Sequence, residues 1–185
     1  MDQIPTELQG PVLIQPARFG DARGFFAETF RRATLAERFG ITADFVQDNQ
    51  SRSVRGVVRG MHFQLEPPAA KLIRCARGAI LDVLVDIRPG SETFGRWESY
   101  VLDDENLRML YAPAGFAHGF CVLSDVADVI YKQTAYWEAD ADRGFAPDDP
   151  DVGIEWPLAR EEMVLSERDR SAPRLADVHA QLGAT

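Results

Sequence analysis

The stretch that decides the fold is KLIRCARGAILDVLVDIR, residues 71–88. It contains two strand-like segments, one on each side of Gly78. In the second segment Val83 and Val85 alternate with Asp82 and Leu84. Alternation with a period of two residues is typical of β-strands. The stretch therefore predicts two consecutive strands.

Short strand-like segments continue on both sides of this stretch. They read GVVRGMHFQ (56–64), RWESYVLD (96–103), LRMLYAPAG (107–115), HGFCVLS (118–124) and DVIYKQTAYW (128–137). Residues 19–30 predict a loop and then a strand, residues 34–40 a short helix with a glycine stop, and residues 158–163 one further short helix. Many short strands with little helix predict a β-sandwich or barrel. The chain of 185 residues carries no repeat or linker, so we expect one domain over residues 1–185.

Composition excludes several classes of partner. The net charge of −9 disfavours general binding to nucleic acid or to an anionic membrane. No apolar run is long enough to span a membrane, and the N-terminal residues lack the pattern of a signal peptide. Cys75 and Cys121 lie far apart, so we expect reduced core thiols and a cytoplasmic protein.

One region reverses the overall charge. Between residues 52 and 77 the chain has six basic side chains, Arg52, Arg55, Arg59, Lys71, Arg74 and Arg77, opposed only by Glu66. Such a region suits a small anionic ligand such as a phosphate ester. The alternative is a set of solvated charges on strands.

The segment PAGFAHGF, residues 113–120, has the pattern Pro-x-Gly-x-x-His before a strand, which resembles the second half-motif of the cupin jelly roll. Many cupins bind a metal through this histidine and a His-x-His pair with a glutamate in the first half-motif. Here the three histidines, His62, His118 and His179, include no such pair. Three or four ligands are the usual requirement. We therefore predict no metal site and expect acid–base chemistry, with a metal-dependent oxygenase as the alternative.

Nine segments resemble, in order, the dTDP-4-dehydrorhamnose 3,5-epimerase family. They are FGDARGFFAE, FVQDNQS, GVVRGMHFQ, KLIRCARGAILDVLVDIR, TFGRW, PAGFAHGFCVLS, YKQT, DDPDVGIEWP and LSERD. The resemblance implies an all-β fold, a cupin jelly-roll sandwich or barrel with a few short peripheral helices. It also implies a homodimer that needs neither metal nor organic cofactor. The implied reaction inverts C3 and C5 of a 4-keto-6-deoxy sugar carried on thymidine diphosphate.

This reaction accounts for four residues as catalytic groups. Carbons C3 and C5 flank the C4 ketone, so loss of either proton gives an enolate on the same oxygen. His62 matches the family's base, and histidine suits this role because its ordinary pKa lies near neutral pH. Asp169 matches the carboxylate that orients the base. Tyr131 matches the general acid. Lys71, one of only two lysines, matches a residue of the sugar pocket, where an ammonium suits the enolate oxygen.

The resemblance also implies a set of substrate-binding residues. They are Arg23, Glu28, Gln47, Asp48, Asn49, Arg59, His118, Trp137, Asp142 and Arg168. Arg23 and Glu28 would reach the neighbouring subunit through an exchanged N-terminal strand, and Trp137 would stack on thymine. For His118 the alternative is a histidine satisfied within the barrel, and for Trp137 it is ordinary core packing.

Three positions depart from the family's pattern. Asp142 replaces the usual glutamate, Arg168 a common lysine, and Pro147 a common tryptophan. The first two keep the charge, although arginine and lysine differ in geometry. We predict a 3,5-epimerase acting on dTDP-4-keto-6-deoxy-D-glucose. The alternatives are an epimerase of C3 or C5 alone and a non-catalytic sugar-nucleotide sensor.

Overall fold

The structure is a computed structural model, and it describes residues 1–182. Its strands are β1 (Asp2–Ile4), β2 (Val12–Gln15), β3 (Arg18–Asp21), β4 (Gly24–Ala27), β5 (Gln47–Val54), β6 (Val58–Gln64), β7 (Lys71–Arg77), β8 (Ala79–Asp86), β9 (Trp97–Asp103), β10 (Met109–Ala112), β11 (Phe116–Val122), β12 (Val126–Gln133) and β13 (Asp142–Gly144). The helices are α1 (Arg32–Phe39), α2 (Glu167–Arg170), α3 (Leu175–Leu182) and a 3-10 turn at Arg160–Glu162.

Two antiparallel sheets form the body of the protein. One has six strands in the order β1-β2-β10-β7-β12-β5, and the other has five in the order β13-β6-β11-β8-β9. Side chains from both sheets, among them Ile73, Leu84, Leu110, Phe120 and Val129, meet in the main hydrophobic cluster. This arrangement confirms the prediction of an all-β cupin jelly-roll sandwich with short peripheral helices. The predicted domain of residues 1–185 also includes residues 183–185, which lie outside the described range.

Residues 71–88 link the two sheets. β7 belongs to the six-stranded sheet and β8 to the five-stranded sheet, and Gly78 between them has φ 76°. A Cβ atom on Gly78 would collide with the backbone oxygen of Val126, so this crossing needs glycine. In β8, Leu84 faces the cluster between the sheets, whereas Val83 joins an outer cluster that Leu175 of α3 covers. The strand is thus buried on both faces.

The helices bear out the sequence interpretation only in part. The helix predicted at residues 34–40 is α1, and Gly40 ends it with φ 68°. The helix predicted at residues 158–163 is the single 3-10 turn. Helices α2 and α3 were not predicted. α2 has four residues, too few for periodicity to show, whereas the apolar spacing of α3 was available in the sequence.

A two-stranded ribbon, β3–β4, stands apart from both sheets. It exposes three large apolar side chains: Phe19 is 64% exposed, Phe25 50% and Phe26 69%. Phe19 and Phe26 pair across the ribbon and share one exposed apolar face, whereas Phe25 lies on the other face. Large apolar side chains exposed in this way often mark an interaction surface.

Two further findings bear on the sequence predictions. Cys75 and Cys121 are both buried and free, as predicted. No helix within residues 1–182 is both long enough and apolar enough to cross a membrane.

Asp86 holds the turn that follows β8. Its buried carboxylate accepts hydrogen bonds from Arg88 Nη2 at 2.6 Å, Thr93 Oγ1 at 2.5 Å and Ser91 Oγ at 2.7 Å. Burial alone would raise the pKa of Asp86, but these donors outweigh it and hold that pKa well below its usual range. The carboxylate is therefore charged in the folded protein and stabilises it.

Candidate active site

The predicted base and its partner carboxylate come together from different parts of the chain. His62 lies on β6, and Asp169 lies on α2. Nε2 of His62 is 2.7 Å from Oδ1 of Asp169. The His62 side chain is 30% exposed, whereas that of Asp169 is 5% exposed. A carboxylate placed in this way orients the imidazole and leaves its other nitrogen, Nδ1, free to take a proton.

Two further contacts fix Asp169. Ser166 caps α2, its Oγ accepting the backbone N–H of Asp169 at 3.1 Å. The backbone N–H of Gly60 faces the Asp169 carboxylate and helps to lower its pKa. Burial alone would raise the pKa of Asp169, but the hydrogen bond and charge of His62 outweigh burial and lower it. Asp169 is thus an ionised, anchored carboxylate.

Lys71 and Tyr131 lie on the opposite sheet. They occupy the neighbouring strands β7 and β12, with Lys71 Nζ 5.7 Å from the centre of the Tyr131 ring. Lys71 shares its strand face with Ile73, which packs between the sheets, so its side chain points inward. Burial lowers the pKa of Lys71 to about 8, against the opposing charges of Asp142 and Asp82.

The Tyr131 phenol stays protonated at neutral pH. Burial is the main cause of its raised pKa; the charge of Asp142 adds to it and that of Arg59 opposes it. A neutral phenol beside an ammonium can donate a proton. The four predicted catalytic side chains therefore face one inter-sheet space, with His62 and Asp169 on one side and Lys71 and Tyr131 on the other.

His118 lies next to His62, because β11 and β6 pair His118 with His62. Its side chain is 7% exposed, and its Nε2 is 2.9 Å from Oδ2 of Asp82 on β8. Burial lowers the pKa of His118 despite the opposing effect of Asp82, so its ring is neutral. Sequence analysis missed Asp82. Its signal was an acidic residue within an apolar strand, AILDVLVD.

A polar network forms at the rim of the site. Oδ2 of Asp142 accepts Nε1–H of Trp137 at 3.0 Å and Nη1–H of Arg168 at 2.6 Å. Gln47 Oε1 accepts the backbone N–H of Trp137 at 2.9 Å. Trp137 is 53% exposed, which excludes the alternative that it packs in the core. Arg168 directly precedes Asp169, so the rim is continuous with the His62–Asp169 pair.

Strand β5 divides its predicted binding residues between two faces. Gln47 and Asn49 share one face, where Nε2 of Gln47 donates to Oδ1 of Asn49 at 3.0 Å, and Asn49 pairs with Tyr131 across the ladder. Asp48 points to the other face and bonds Nζ of Lys132 at 2.8 Å. The structure therefore separates Asp48 from the inter-sheet space.

The remaining predicted residues lie in different places. Nε of Arg59 donates to Ser53 Oγ at 3.0 Å, and its charge opposes the rise in the pKa of Tyr131, so Arg59 lies near the predicted acid. In the ribbon, Arg23 pairs with Asp21. Glu28, which follows the ribbon, bonds Nε of Arg31 at 2.8 Å. Within one chain neither Arg23 nor Glu28 bonds any of the four predicted catalytic residues.

The positive region predicted from the sequence is split by the fold. Arg52 pairs with Asp128, and Arg55 pairs with Asp125, at the outer surface. Of the six basic residues, Lys71 points into the inter-sheet space, and the charge of Arg59 affects the pKa of Tyr131, which faces the same space. The region therefore combines solvated strand charges with two cations of the site.

The histidines do not converge on a metal site. His179 lies on α3, where its ring stacks edge-on against Phe94 with 4.9 Å between centroids. Across residues 1–182, no three histidine, cysteine, aspartate or glutamate side chains are grouped so as to hold a metal ion.

Comparisons with known proteins agree with this geometry. The sequence profile of the family described as dTDP-4-dehydrorhamnose 3,5-epimerase matches residues 5–177. The chain is 49% identical over 169 residues to a dTDP-4-dehydrorhamnose 3,5-epimerase from Methanothermobacter thermautotrophicus, which covers 91% of each chain.

Two solved structures are also similar. One is a dTDP-6-deoxy-D-glucose-3,5-epimerase from Legionella pneumophila Philadelphia 1 in complex with dTDP-4-keto-L-rhamnose, with TM-score 0.94, 43% identity and coverage of 98% of this chain and 96% of that chain. The other is a 3'-monoepimerase from Streptomyces bikiniensis in complex with dTDP-quinovose, with TM-score 0.88, 38% identity and coverage of 96% and 89%. From its sequence, its jelly-roll fold and these matches, the chain belongs to the dTDP-4-dehydrorhamnose 3,5-epimerase family.

Proposed function

We propose that this chain is an isomerase that inverts C3 and C5 of dTDP-4-keto-6-deoxy-D-glucose and releases dTDP-4-keto-L-rhamnose, without a cofactor. The observation that carries the proposal is the His62–Asp169 pair, 2.7 Å apart, facing Lys71 and Tyr131 in a member of this family. His62 lies on the five-stranded sheet, and Lys71 and Tyr131 lie on the six-stranded sheet opposite it. Inversion requires that separation, because a proton leaves one face of the sugar and arrives on the other.

The first step is deprotonation next to the ketone. His62 uses Nδ1 to take the proton from C3 or C5, since Nε2 is engaged by Asp169. The electron pair of the broken C–H bond moves into the ring, and the C4 oxygen becomes an enolate. Asp169 stabilises the imidazolium that forms, because a buried carboxylate at hydrogen-bond distance favours the charged ring.

The second step returns a proton from the opposite face. The Lys71 ammonium stabilises the enolate oxygen, and the Tyr131 hydroxyl protonates the carbon. The resulting phenolate lies beside the same ammonium, 5.7 Å from ring centre to Nζ, which favours the charged intermediate. Solvent exchange then resets Tyr131 and His62. The same groups treat C3 and C5 in turn, since both carbons share one enolate oxygen.

Side chains at the rim bind the carrier. Trp137, with half of its surface exposed, stacks on thymine, and Arg59 and Arg168 supply planar cations for the diphosphate. Gln47 and Asn49 bond the sugar from β5. Asp142 holds Trp137 and Arg168 together through one oxygen atom, so both contacts depend on it.

The proposed assembly is a homodimer with an exchanged N-terminal ribbon. The exposed phenylalanines of β3–β4 support it, because a partner surface would remove them from water. In this dimer Arg23 and Glu28 complete the neighbour's site. A mixture of Arg23→Ala and His62→Ala chains then forms heterodimers with one intact site and recovers about a quarter of the activity after subunit exchange. Failure to recover activity, or a monomer in sedimentation, contradicts the exchange.

A second function deserves a test because a 3'-monoepimerase is among the similar structures. In that case the chain inverts C3 or C5 alone.

We also propose a cytoplasmic location, which agrees with two free, buried cysteines.

The test of the proposed function is turnover of dTDP-4-keto-6-deoxy-D-glucose coupled to a reductase specific for the inverted ketone. We expect His62→Ala to lose at least about 1,000-fold in kcat, because the base is gone. The matched control is His179→Ala, which removes the histidine of α3 that stacks on Phe94. Turnover by His62→Ala close to that of the control would refute the mechanism.

A further inference from the structure

Strand β6 has an irregular register next to the candidate site. Along its pairing with β11, Arg59 lies opposite Phe120, and His62 lies opposite His118. The two residues of β11 are two positions apart, whereas the two residues of β6 are three positions apart. β6 therefore carries one extra residue at 60–61, which is a β-bulge. A bulge beside an active site often redirects a side chain.

The bulge decides which way Arg59 points. In a regular strand, residues 59 and 62 would face opposite sides of the sheet. Phe120 packs between the sheets, and paired residues share a face, so Arg59 points into the same inter-sheet space as His62. Gly60 at the bulge has φ 119°, and a Cβ atom there would collide with Cα of Gly119. The bulge therefore requires glycine at residue 60.

A serine of the opposite sheet anchors Arg59 in this direction. Ser53 on β5 is 5% exposed, and its Oγ accepts Nε–H of Arg59 at 3.0 Å. Ser53 pairs with Ala127, which packs between the sheets, so the serine also points inward. The Arg59 side chain therefore extends from one sheet toward the other and is anchored there through one nitrogen.

Arg59 differs from its neighbours in the positive region in having no acidic partner. Arg52 pairs with Asp128, and Arg55 pairs with Asp125. Within residues 1–182, the group that bonds Arg59 is a neutral hydroxyl, and no side chain or carbonyl bonds its Nη1 or Nη2. The hydroxyl thus fixes the guanidinium without neutralising its charge.

Such a guanidinium suits a phosphate ligand. Its donors form a rigid planar fork, and two free N–H groups can bond two phosphate oxygens. We propose that Ser53 is a positioning residue that holds Arg59 so that its Nη groups bind the diphosphate of the substrate. This rests on the proposed function for the identity of the carrier, but the primary test needs no turnover.

That test measures the affinity of the protein for dTDP by isothermal titration calorimetry. We expect Ser53→Ala to weaken dTDP binding about five-fold, because ordering one flexible side chain on binding costs about 2- to 12-fold in Kd. Ser53→Thr keeps the hydroxyl and restores the affinity of the wild type. Thymidine, which has no phosphate, binds to Ser53→Ala as it binds to the wild type.

A double-mutant cycle tests whether Ser53 acts through Arg59. In an Arg59→Ala background, Ser53→Ala causes no further loss of dTDP affinity, since no guanidinium remains to be held. The matched control is Ser51→Ala. Ser51 lies on the same face of β5, but its buried Oγ has no hydrogen-bond partner within residues 1–182. We expect this control to keep dTDP affinity within about two-fold of the wild type.

Turnover separates positioning from general damage to the site. The contact between Arg59 and the diphosphate is the same before and during the chemical steps. Ser53→Ala therefore raises KM for the sugar nucleotide about five-fold and leaves kcat within about two-fold of the wild type. A fall in kcat with KM unchanged would overturn the proposed role of Ser53.

The binding outcomes are equally decisive. Equal dTDP affinity in Ser53→Ala and the wild type overturns the proposal, as does an equal loss in the Arg59→Ala background or in Ser51→Ala. Should Ser53→Ala fail to fold, Ser53→Cys keeps the shape but offers only a weak acceptor, and the same criteria apply.

Failure of the proposed function would look different. Weakened dTDP binding by Ser53→Ala in a protein without epimerase activity supports the Ser53–Arg59 pairing and refutes the proposed function. If the wild type binds no dTDP, the proposed carrier is wrong, and the same variants are titrated with inorganic pyrophosphate. Pyrophosphate binding that depends on Ser53 then supports the positioning role, and no binding of pyrophosphate overturns it.

Discussion

Asp169→Asn separates the charge of the orienting carboxylate from its shape. The carboxylate has two donors to satisfy, Nε2–H of His62 at 2.7 Å and the backbone N–H of Gly60. Asparagine offers a single acceptor oxygen. If that oxygen turns to Gly60, the amide NH₂ faces His62 and forces the ring proton onto Nδ1. The base is then lost without any change in the fold.

The size of the effect follows from these contacts. A hydrogen bond to a charged group contributes about 1.5–3 kcal/mol, which corresponds to about 10- to 150-fold in rate if it acts only in the transition state. The wrong tautomer adds to this loss, and in a comparable carboxylate–histidine pair the same substitution costs about 10⁴-fold. We therefore expect kcat for Asp169→Asn to fall between about 10²- and 10⁴-fold.

The assay is steady-state epimerisation with the coupled reductase, alongside thermal unfolding. The control is Asp149→Asn, which alters another buried carboxylate that holds the backbone of Leu175 by a 2.7 Å hydrogen bond. It lowers Tm but leaves kcat close to the wild type. A kcat for Asp169→Asn within three-fold of the wild type, with its fold intact, would refute the reasoning about His62.

Three other substitutions test separate parts of the account. Tyr131→Phe removes the acid, so inversion falls at least about 100-fold. His62 still exchanges substrate hydrogen with deuterated water, as NMR would report. Equal loss of inversion and of exchange would contradict the division of roles between Tyr131 and His62. Ser166→Ala removes the cap of α2, worth about 1 kcal/mol, and lowers kcat about five-fold through Asp169; an unchanged kcat would count against this placement. Asp86→Asn costs about 2 kcal/mol in urea unfolding at pH 7. Because folding lowers the pKa of Asp86, its carboxylate stabilises the protein above about pH 4, the usual pKa of an unfolded aspartate. That stabilisation is lost as the pH falls, so the unfolding free energies of the wild type and Asp86→Asn converge in acid. A difference that stays constant with pH would contradict this.

The sequence carried enough information to predict which side chains meet in the candidate site, because each lies in a short ordered segment. GVVRGMHFQ and LSERD are more than 100 residues apart, and their meeting at His62 and Asp169 follows only from a resemblance to proteins of the same fold. Strand alternation predicted β7 and β8 but not which sheet each joins, since that depends on the crossing at Gly78.

Other features depend on packing that no local pattern records. Asp82 looked like one polar position of an alternating strand, yet it shares the face of Ile80 and Leu84 between the two sheets, whereas α3 covers the opposite face of β8. Asp48 sits between Gln47 and Asn49 in sequence but faces the other side of the sheet, because successive residues of a strand alternate. When consecutive residues of one strand are predicted to bind the same ligand, only every second side chain can face it.

The central claim is that one base and one acid on opposite sheets invert two carbons through enolates that form on the same C4 oxygen. The most direct measurement follows hydrogen at C3 and C5 by NMR while the protein turns over dTDP-4-keto-6-deoxy-D-glucose in deuterated water. The account predicts that both signals disappear and that the trapped product is inverted at both carbons. Loss of one signal alone would identify a single-centre epimerase. Binding of the sugar nucleotide with no exchange at either carbon would contradict the account.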